Sequence, residues 1–216
     1  MMYPMLRLGE DVLSNDGEMA LPAHPRVIFV VHGSIAIEGR ILGDEATFSG
    51  EGAVTLKAGK DGATLWRWEF FAMGKPIGGA APGGRGVTSR EKLNAALQTL
   101  PQGALLLRGD SVAFPPGGCA YLHRHQGPGI RCLIEGGIRI DTRGHSRSYG
   151  PGGAWCETGP DGVFAQAADR PTRFIRVMIL PRACLGKSSI EYLNEEDKTK
   201  PKSQSYKIFA DIPISQ

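Results

Sequence analysis

Short runs of alternating apolar residues, cut by turn-forming residues, set the tightest limit on what this chain can fold into. They recur at Val27–Ile37, Ala63–Phe71, Ala104–Phe114, Gly129–Ile140 and Thr172–Leu180, and most are bounded by Gly, Pro, Asn or Asp. Successive side chains on a strand point to opposite faces, so such alternation buries one face of a sheet. Thirty glycines and fifteen prolines in 216 residues supply the tight turns that many short strands need. The chain therefore reads as all-β, with one departure. Thr88-Ser-Arg-Glu91 has the form of a helix capping box, Leu93, Ala96, Leu97 and Leu100 follow at helical spacing, and Pro101 ends the run. The spacing predicts a short helix behind a linker from Gly74 to Gly86, which holds six glycines and two prolines.

The linker separates two halves that resemble each other. Val31-His-Gly-Ser-Ile-Ala-Ile-Glu38 matches Ile134-Glu-Gly-Gly-Ile-Arg-Ile-Asp141, and in that register Pro25 falls on Pro128. Gly52-Ala53 corresponds to Gly153-Ala154 within a two-residue indel, and each half ends in an alternating strand, Leu65–Phe71 and Arg173–Leu180. The same β unit is thus expected twice, in residues 1–73 and 104–183, joined by 74–103 and followed by a polar arm and terminal strand over 184–216. Ser188 to Ser203 is polar and of balanced charge, and reads as mobile or superficial. Tyr206, Ile208 and Ala210 then share a face of a strand that pairs with an edge of its own barrel or of a neighbour's.

Composition narrows function. Net charge is +3, with signs mixed and no basic stripe interleaved with aromatics, which argues against nucleic acid. No segment approaches the ~18 apolar residues that span a bilayer, and the N-terminal stretch lacks the apolar core of a secretory signal. A cytoplasmic protein with no membrane contact is the expectation. Cys119, Cys132, Cys156 and Cys184 show no CxxC spacing and read as small core residues. Trp66, Trp68 and Phe70 share one strand face and read as core.

The stretch AYLHRHQGPGIRCLIEGGIRID, Ala120 to Asp141, carries the chemistry. On a strand His123 and His125 project to one side, where two neutral imidazoles can reach one ion. Gly117 stands six residues before His123, and Gly136 follows at the distance that completes a G(x)5HxH(x)3–4E(x)6G pattern, with Gly129 in the glutamate slot. Downstream, Pro160-Asp-Gly162 matches the centre of a second pattern, G(x)5PxG(x)2H(x)3N. Its histidine and asparagine slots fall on Ala165 and Asp169.

These two motifs resemble those of the cupin superfamily, over about residues 104–181 directly and over 20–72 through the repeat. The resemblance implies two double-stranded β-helix (cupin) barrels with a short helical connector, any site lying in the second. It implies one divalent ion, Fe, Mn, Ni or Zn, on His123 and His125. Two ligands rarely hold such an ion, because most sites use at least three protein groups. Glu157, in WCETG, is the best third candidate; Gln166 points away, and Cys132 and Cys156 are formal alternatives. Arg131 aims either into the cavity, where it can hold an anion, or outward. In the first copy Ala20 and Pro22 replace the histidines, and His24 and His32 read as structural. Arg124, Gln126 and His145 read as surface residues.

The resemblance further implies a small-molecule ligand, an oxygenase, isomerase or lyase if the protein is an enzyme, and a homodimer formed at barrel edges. The alternatives are a non-catalytic binding or sensor module without metal, and a chiefly structural, oligomer-forming protein.

Overall fold

The computed structural model describes residues 3–74 and 82–214. The chain divides into two compact units between Ala96 and Leu97. The first contains β1 (Met5–Leu21), β2 (Arg26–Ile37), β3 (Arg40–Leu42), β4 (Thr47–Gly50), β5 (Val54–Phe71) and β6 (Gly84–Ala96). The second contains β7 (Leu105–Phe114), β8 (Cys119–His125), β9 (Gly129–Glu135), β10 (Ile138–Thr142), β11 (His145–Tyr149), β12 (Ala154–Glu157), β13 (Val163–Ala167) and β14 (Thr172–Pro181). A single 3-10 turn (Arg182–Cys184), β15 (Ile190–Tyr192), the short helix α1 (Glu195–Thr199) and β16 (Ser205–Ile214) complete it.

Among the described residues every strand pairing is antiparallel. In the second unit two five-stranded sheets run β12-β9-β14-β7-β16 and β11-β10-β13-β8-β15. In the first unit one sheet runs β3-β2-β5-β1-β6, with β4 also on β2. Its long strands change register partway, β1 between Leu13 and Glu18 and β2 around His32 to Ile35. Before the shift β2 pairs with β4; beyond it Ile35–Ile37 pair with β3 and with Leu56–Ala58 of β5. The pairing order β4-β2-β5-β1-β6 is thus the order β12-β9-β14-β7-β16 again. Gly33 and Gly136, opposite each other in the sequence repeat, both sit at positive φ, 86° and 82°. A Cβ would drive into the carbonyl oxygen of Gly62 at one and of Pro171 at the other, so both turns demand glycine.

The helix expected around Thr88–Leu100 does not form. Gly84–Ala96 is β6, paired to β1 along most of its length. The edge of β1 offers most of these residues a backbone partner, and the side chains bind there too: Ser89 Oγ donates to Asp11 Oδ1 at 2.6 Å and Arg90 Nε to Glu10 Oε1 at 2.7 Å. Tertiary pairing overrides a weak local helical preference. The rest of the expected linker, 75–81, lies outside the described residues.

One apolar core of the first unit gathers Ile28, Val30, Ile35, Ile37, Leu56 and Leu65 among others. Beside Ile28 and Leu65 lies a buried ionic network. Arg67 Nε donates to Asp11 Oδ2 at 2.7 Å, Arg7 Nη2 to Glu69 Oε2 at 2.9 Å, and Arg67 also donates to Glu69. Arg26 lies 3.6 Å from Glu69 Oε1 and donates to the carbonyls of Pro22 and Gly52. Trp66, Trp68 and Phe70 are buried, as expected. His32 is exposed beside Asp44, and His24 packs on the Phe71 ring. Met19 and Leu21 are buried and Ala20 is exposed, one residue out of step with the sequence repeat at Ala20 and Pro22.

In the second unit β16 adds to its own sheet beside β7. A register shift between Ile208 and Ala210 breaks the face that Tyr206, Ile208 and Ala210 were expected to share. All four cysteines are free thiols; Cys132 and Cys184 are buried, Cys119 is half-buried, and Cys156 is exposed rather than core. No helix of the described residues is long and apolar enough to cross a membrane.

Candidate metal and ligand site

Strand alternation on β8 sends His123 and His125 inward and leaves Arg124 outside, paired with Glu191 at 2.9 Å. The two imidazoles meet edge to face, centroids 4.9 Å apart at 79°. Glu157 ends β12 in the facing sheet and is buried, not solvated at a turn. Donor atoms of His123, His125 and Glu157 all lie within 4.8 Å of one another.

Glu157 is the register partner of Gly129, the residue in the vacant glutamate slot. A Cβ on Gly129 would lie 2.5 Å from Val177 O and 2.6 Å from Met178 Cγ. A side chain at 129 would clash with β14, and the neighbouring strand presents a carboxylate at the same level.

Hydrogen bonds fix both tautomers. His123 Nδ1 lies 2.7 Å from the Tyr121 carbonyl, an acceptor only, so Nδ1 carries the proton and Nε2 keeps its lone pair. Arg176 Nη1, a donor only, lies 3.2 Å from His125 Nε2, so that nitrogen also accepts, and Nδ1–H faces Ser189 Oγ at 3.4 Å. Burial lowers the pKa of His123 against the opposing pull of Glu157. Burial, then the charges of Arg176 and Arg131, hold His125 well below 6.5. Both shifts favour the neutral ring.

Trp155 Nε1 donates to Glu157 Oε1 at 2.9 Å. Arg131 Nη2 lies 2.8 Å from Glu157 Oε2, yet that oxygen accepts no hydrogen bond. We read the contact as a Coulombic pairing whose N–H points off the oxygen's lone pairs. Arg131 therefore faces inward, fully buried, and also donates to Gly129 O at 2.7 Å. Arg176 grips Asp110 through two hydrogen bonds, at 2.9 and 2.7 Å.

These groups open on a cavity of about 230 Å³. Phe114, Ile140, Ala165 and Phe174 line it as members of one apolar cluster. Ser189, Tyr192, Lys202 and Gln204 line it too, so the segment expected to be mobile or superficial instead walls the site. Tyr192 is the register partner of His123. Gln166 points away, donating to Gly117 O. Cys132 and Cys156 flank inward-facing Arg131 and Glu157 and lie on the other strand faces. Among the described residues no second group of three potential ligands clusters this way.

Sequence reasoning missed Asp110 and Arg176, although a signal existed. Each is a charge embedded in an apolar strand run, LLLRGDSVAF and TRFIRVMILP, and charge in such a run needs a buried partner. Ser189, Tyr192 and Gln204 sit in a polar stretch that carries no comparable mark.

No family model matches the chain, and no curated protein is significantly similar to it in sequence. Solved structures of Bacillus subtilis oxalate decarboxylase, a cupin, are similar in fold. A deletion mutant matches with a TM-score of 0.61 at 13% identity, over 90% of this chain and 73% of that one. A structure of the same enzyme studied for its Mn(II) centres gives the same figures. A serine-to-alanine mutant gives 0.58 at 13% identity, over 93% and 74%. The chain thus has the cupin fold.

Proposed function

We propose that this is a bicupin whose second barrel holds one divalent metal ion on His123, His125 and Glu157 and binds a small organic ligand beside it. The matching strand order of the two units and the paired glycines Gly33 and Gly136 support the two-barrel reading. One observation carries the metal reading: two neutral imidazoles with lone pairs on Nε2, converging with a buried carboxylate oxygen that accepts no hydrogen bond. Nitrogen and oxygen donors in that ratio suit Mn, Fe, Ni or Zn.

A bound ion would supply Lewis acidity and a coordination site for a ligand oxygen. The protein's own groups do the rest. Tyr121 O and Ser189 Oγ orient the two rings through their other nitrogens, and Trp155 steers the carboxylate. Ala165 leaves the usual fourth-ligand place open to a ligand. An oxygenase, isomerase or lyase is the reaction class this reading carries, in a cytoplasmic protein. A homodimer would form at a sheet edge such as β16, and light scattering tests it by mass.

Metal analysis of protein purified without a histidine tag tests the centre. One equivalent of metal is expected, and none in a folded His123→Ala/His125→Ala variant. Metal-free protein after incubation with Mn(II), Fe(II), Ni(II) and Zn(II) would sink the reading.

A second reading, a metal-free binding module, also has a specific observation behind it. Arg176 already donates to His125 Nε2, and Arg131 stands against Glu157 Oε2, the two atoms an ion needs. Retained ligand binding in metal-free protein selects that reading.

A further inference from the structure

The cavity is polarised along its strands. On β7 and β14, Val112 pairs with Phe174, and one same-face step away Asp110 pairs with Arg176. On β8 and β13, Ala120 pairs with Ala165, whereas His123 pairs with Val163. On the β7–β14 side apolar and charged rungs thus occupy different levels of the hollow, while on the β8–β13 side His123 shares its level with the apolar Val163.

The charges cancel in pairs: Asp110 with Arg176, Glu157 with Arg131, Asp211 with Arg108 at 3.0 Å. Lys202 adds a positive charge at the wall. Its Nζ donates to the carbonyls of Asp197 and Lys200 and lies 4.3 Å above the Tyr192 ring. A divalent ion on the three donors would raise the positive surplus further, and an anion would offset it.

Size limits the anion. An apolar cavity of about 150 Å³ takes up benzene. The hollow here, about 230 Å³, exceeds that by roughly 80 Å³, or two to three water volumes at ~30 Å³ each. A carboxylate fits in that remainder. A small dianion without a hydrocarbon body would fill only the charged level and leave the apolar rungs to disordered water.

We propose that the second unit binds a ring-bearing organic monoanion. Its head group lies at His123, His125 and Glu157, and its ring against Phe114, Ile140, Ala165 and Phe174. The placement of the head group rests on the metal reading above; the placement of the ring does not. Alanine at 165, where the family motif has histidine, opens the space the ring enters.

Isothermal titration with benzoate, oxalate and acetate tests this, on Mn(II)-loaded and on chelator-treated protein. Benzoate should bind more tightly than oxalate or acetate by about tenfold or more, since only it fills the apolar level. Ala165→Phe fills that level and should weaken benzoate about tenfold or more without loss of Mn(II). Ile140→Ala enlarges it and should admit 2-naphthoate, which keeps the test open if Ala165→Phe fails to fold by circular dichroism. Oxalate binding as tightly as benzoate overturns the proposal. So does benzoate affinity unchanged in folded Ala165→Phe, or 2-naphthoate excluded by Ile140→Ala. Benzoate bound, and lost in Ala165→Phe, by a protein that takes up no Mn(II) keeps the ring site and sinks the metal reading; Mn(II) bound without benzoate does the reverse.

Discussion

Replacing Gly129 tests whether the carboxylate of this site was forced onto the neighbouring strand. Gly129 opens β9, paired on one side with Glu157 of β12 and on the other with Met178 of β14. An added methyl would meet Val177 O at 2.5 Å, Met178 Cγ at 2.6 Å and Met178 Cα at 3.0 Å. Even a favourable carbon–oxygen contact needs about 3.3 Å, so the strands must part by most of an ångström. The Met178 side chain can rotate away. Val177 O cannot, because β14 is held between β9 and β7. Overpacking of this kind costs about 1–3 kcal/mol, and the gain from a stiffer unfolded chain returns only about 0.4–1 kcal/mol. Gly129→Ala should therefore destabilise by about 1–2 kcal/mol, which at ~2–4 °C per kcal/mol lowers Tm by roughly 2–8 °C. Scanning calorimetry reads this and resolves the two units if they melt separately. Gly129→Glu, combined with Glu157→Gln, should not restore metal binding, because a longer side chain starts from the same clash. A Gly129→Ala protein that melts at or above the parent temperature, or a double variant that binds metal like the parent, would refute the reasoning.

Other expectations follow from neighbouring residues. Ala165→His puts a third imidazole, and so a fourth potential ligand, in the cavity, and its Mn(II) affinity by titration calorimetry should rise on the order of tenfold or more. Trp155→Phe removes the N–H that steers Glu157 while keeping an aromatic ring; metal affinity should fall about 10–100-fold with the circular dichroism spectrum intact. In the first unit, burial opposes ionisation of Glu69, but Arg67, Arg7 and Arg26 outweigh it and hold its pKa below 4.5. A depressed carboxylate contributes stability above its unfolded value that is lost as pH falls through the folded one. Melting temperature should thus drop below about pH 4.5. Glu69→Gln should flatten that acid slope and cost about 3–5 kcal/mol at pH 7, since it strands buried guanidinium charge. An unaltered slope in Glu69→Gln would place the acid sensitivity elsewhere.

Much of the second unit was legible in the sequence because its signals are local. Alternation on β8 fixes the direction of His123 and His125 by period alone, and the left-handed turn at Gly136 demands a residue without a Cβ. Glu157 was recoverable only as the best carboxylate on a facing strand, because its tie to Gly129 is a cross-strand pairing between residues 28 positions apart. The failures are also physical. Thr88–Leu100 has helical spacing, but spacing carries no information about a bare edge of β1 waiting for a partner. The polar stretch around Ser189 to Gln204 looked superficial because few of its residues are apolar. It is ordered by contacts that composition does not encode: Ile190 and Tyr192 on β8, Lys202 on aromatic rings and backbone carbonyls.

The two units answer one packing problem in opposite ways. In the sequence repeat Arg26 stands where the second copy has Gly129. Arg26 fills its space, donating to the carbonyls of Pro22 and Gly52 and pairing with Glu69. Asp11 and Arg67 close the same interior, and Ser89 reaches in from β6 to hold Asp11. Removing any one member leaves a buried charge short of a partner, so such a network resists being opened for a ligand. In the second unit an aspartate and an arginine again pair across the first and last strands of the repeat, Asp110 with Arg176. There glycine replaces Arg26, alanine stands at 165, and the space between the charges and the apolar rungs stays open. Small residues at 129 and 165 thus accompany the cavity of the second unit, where the first unit has the Arg26 network.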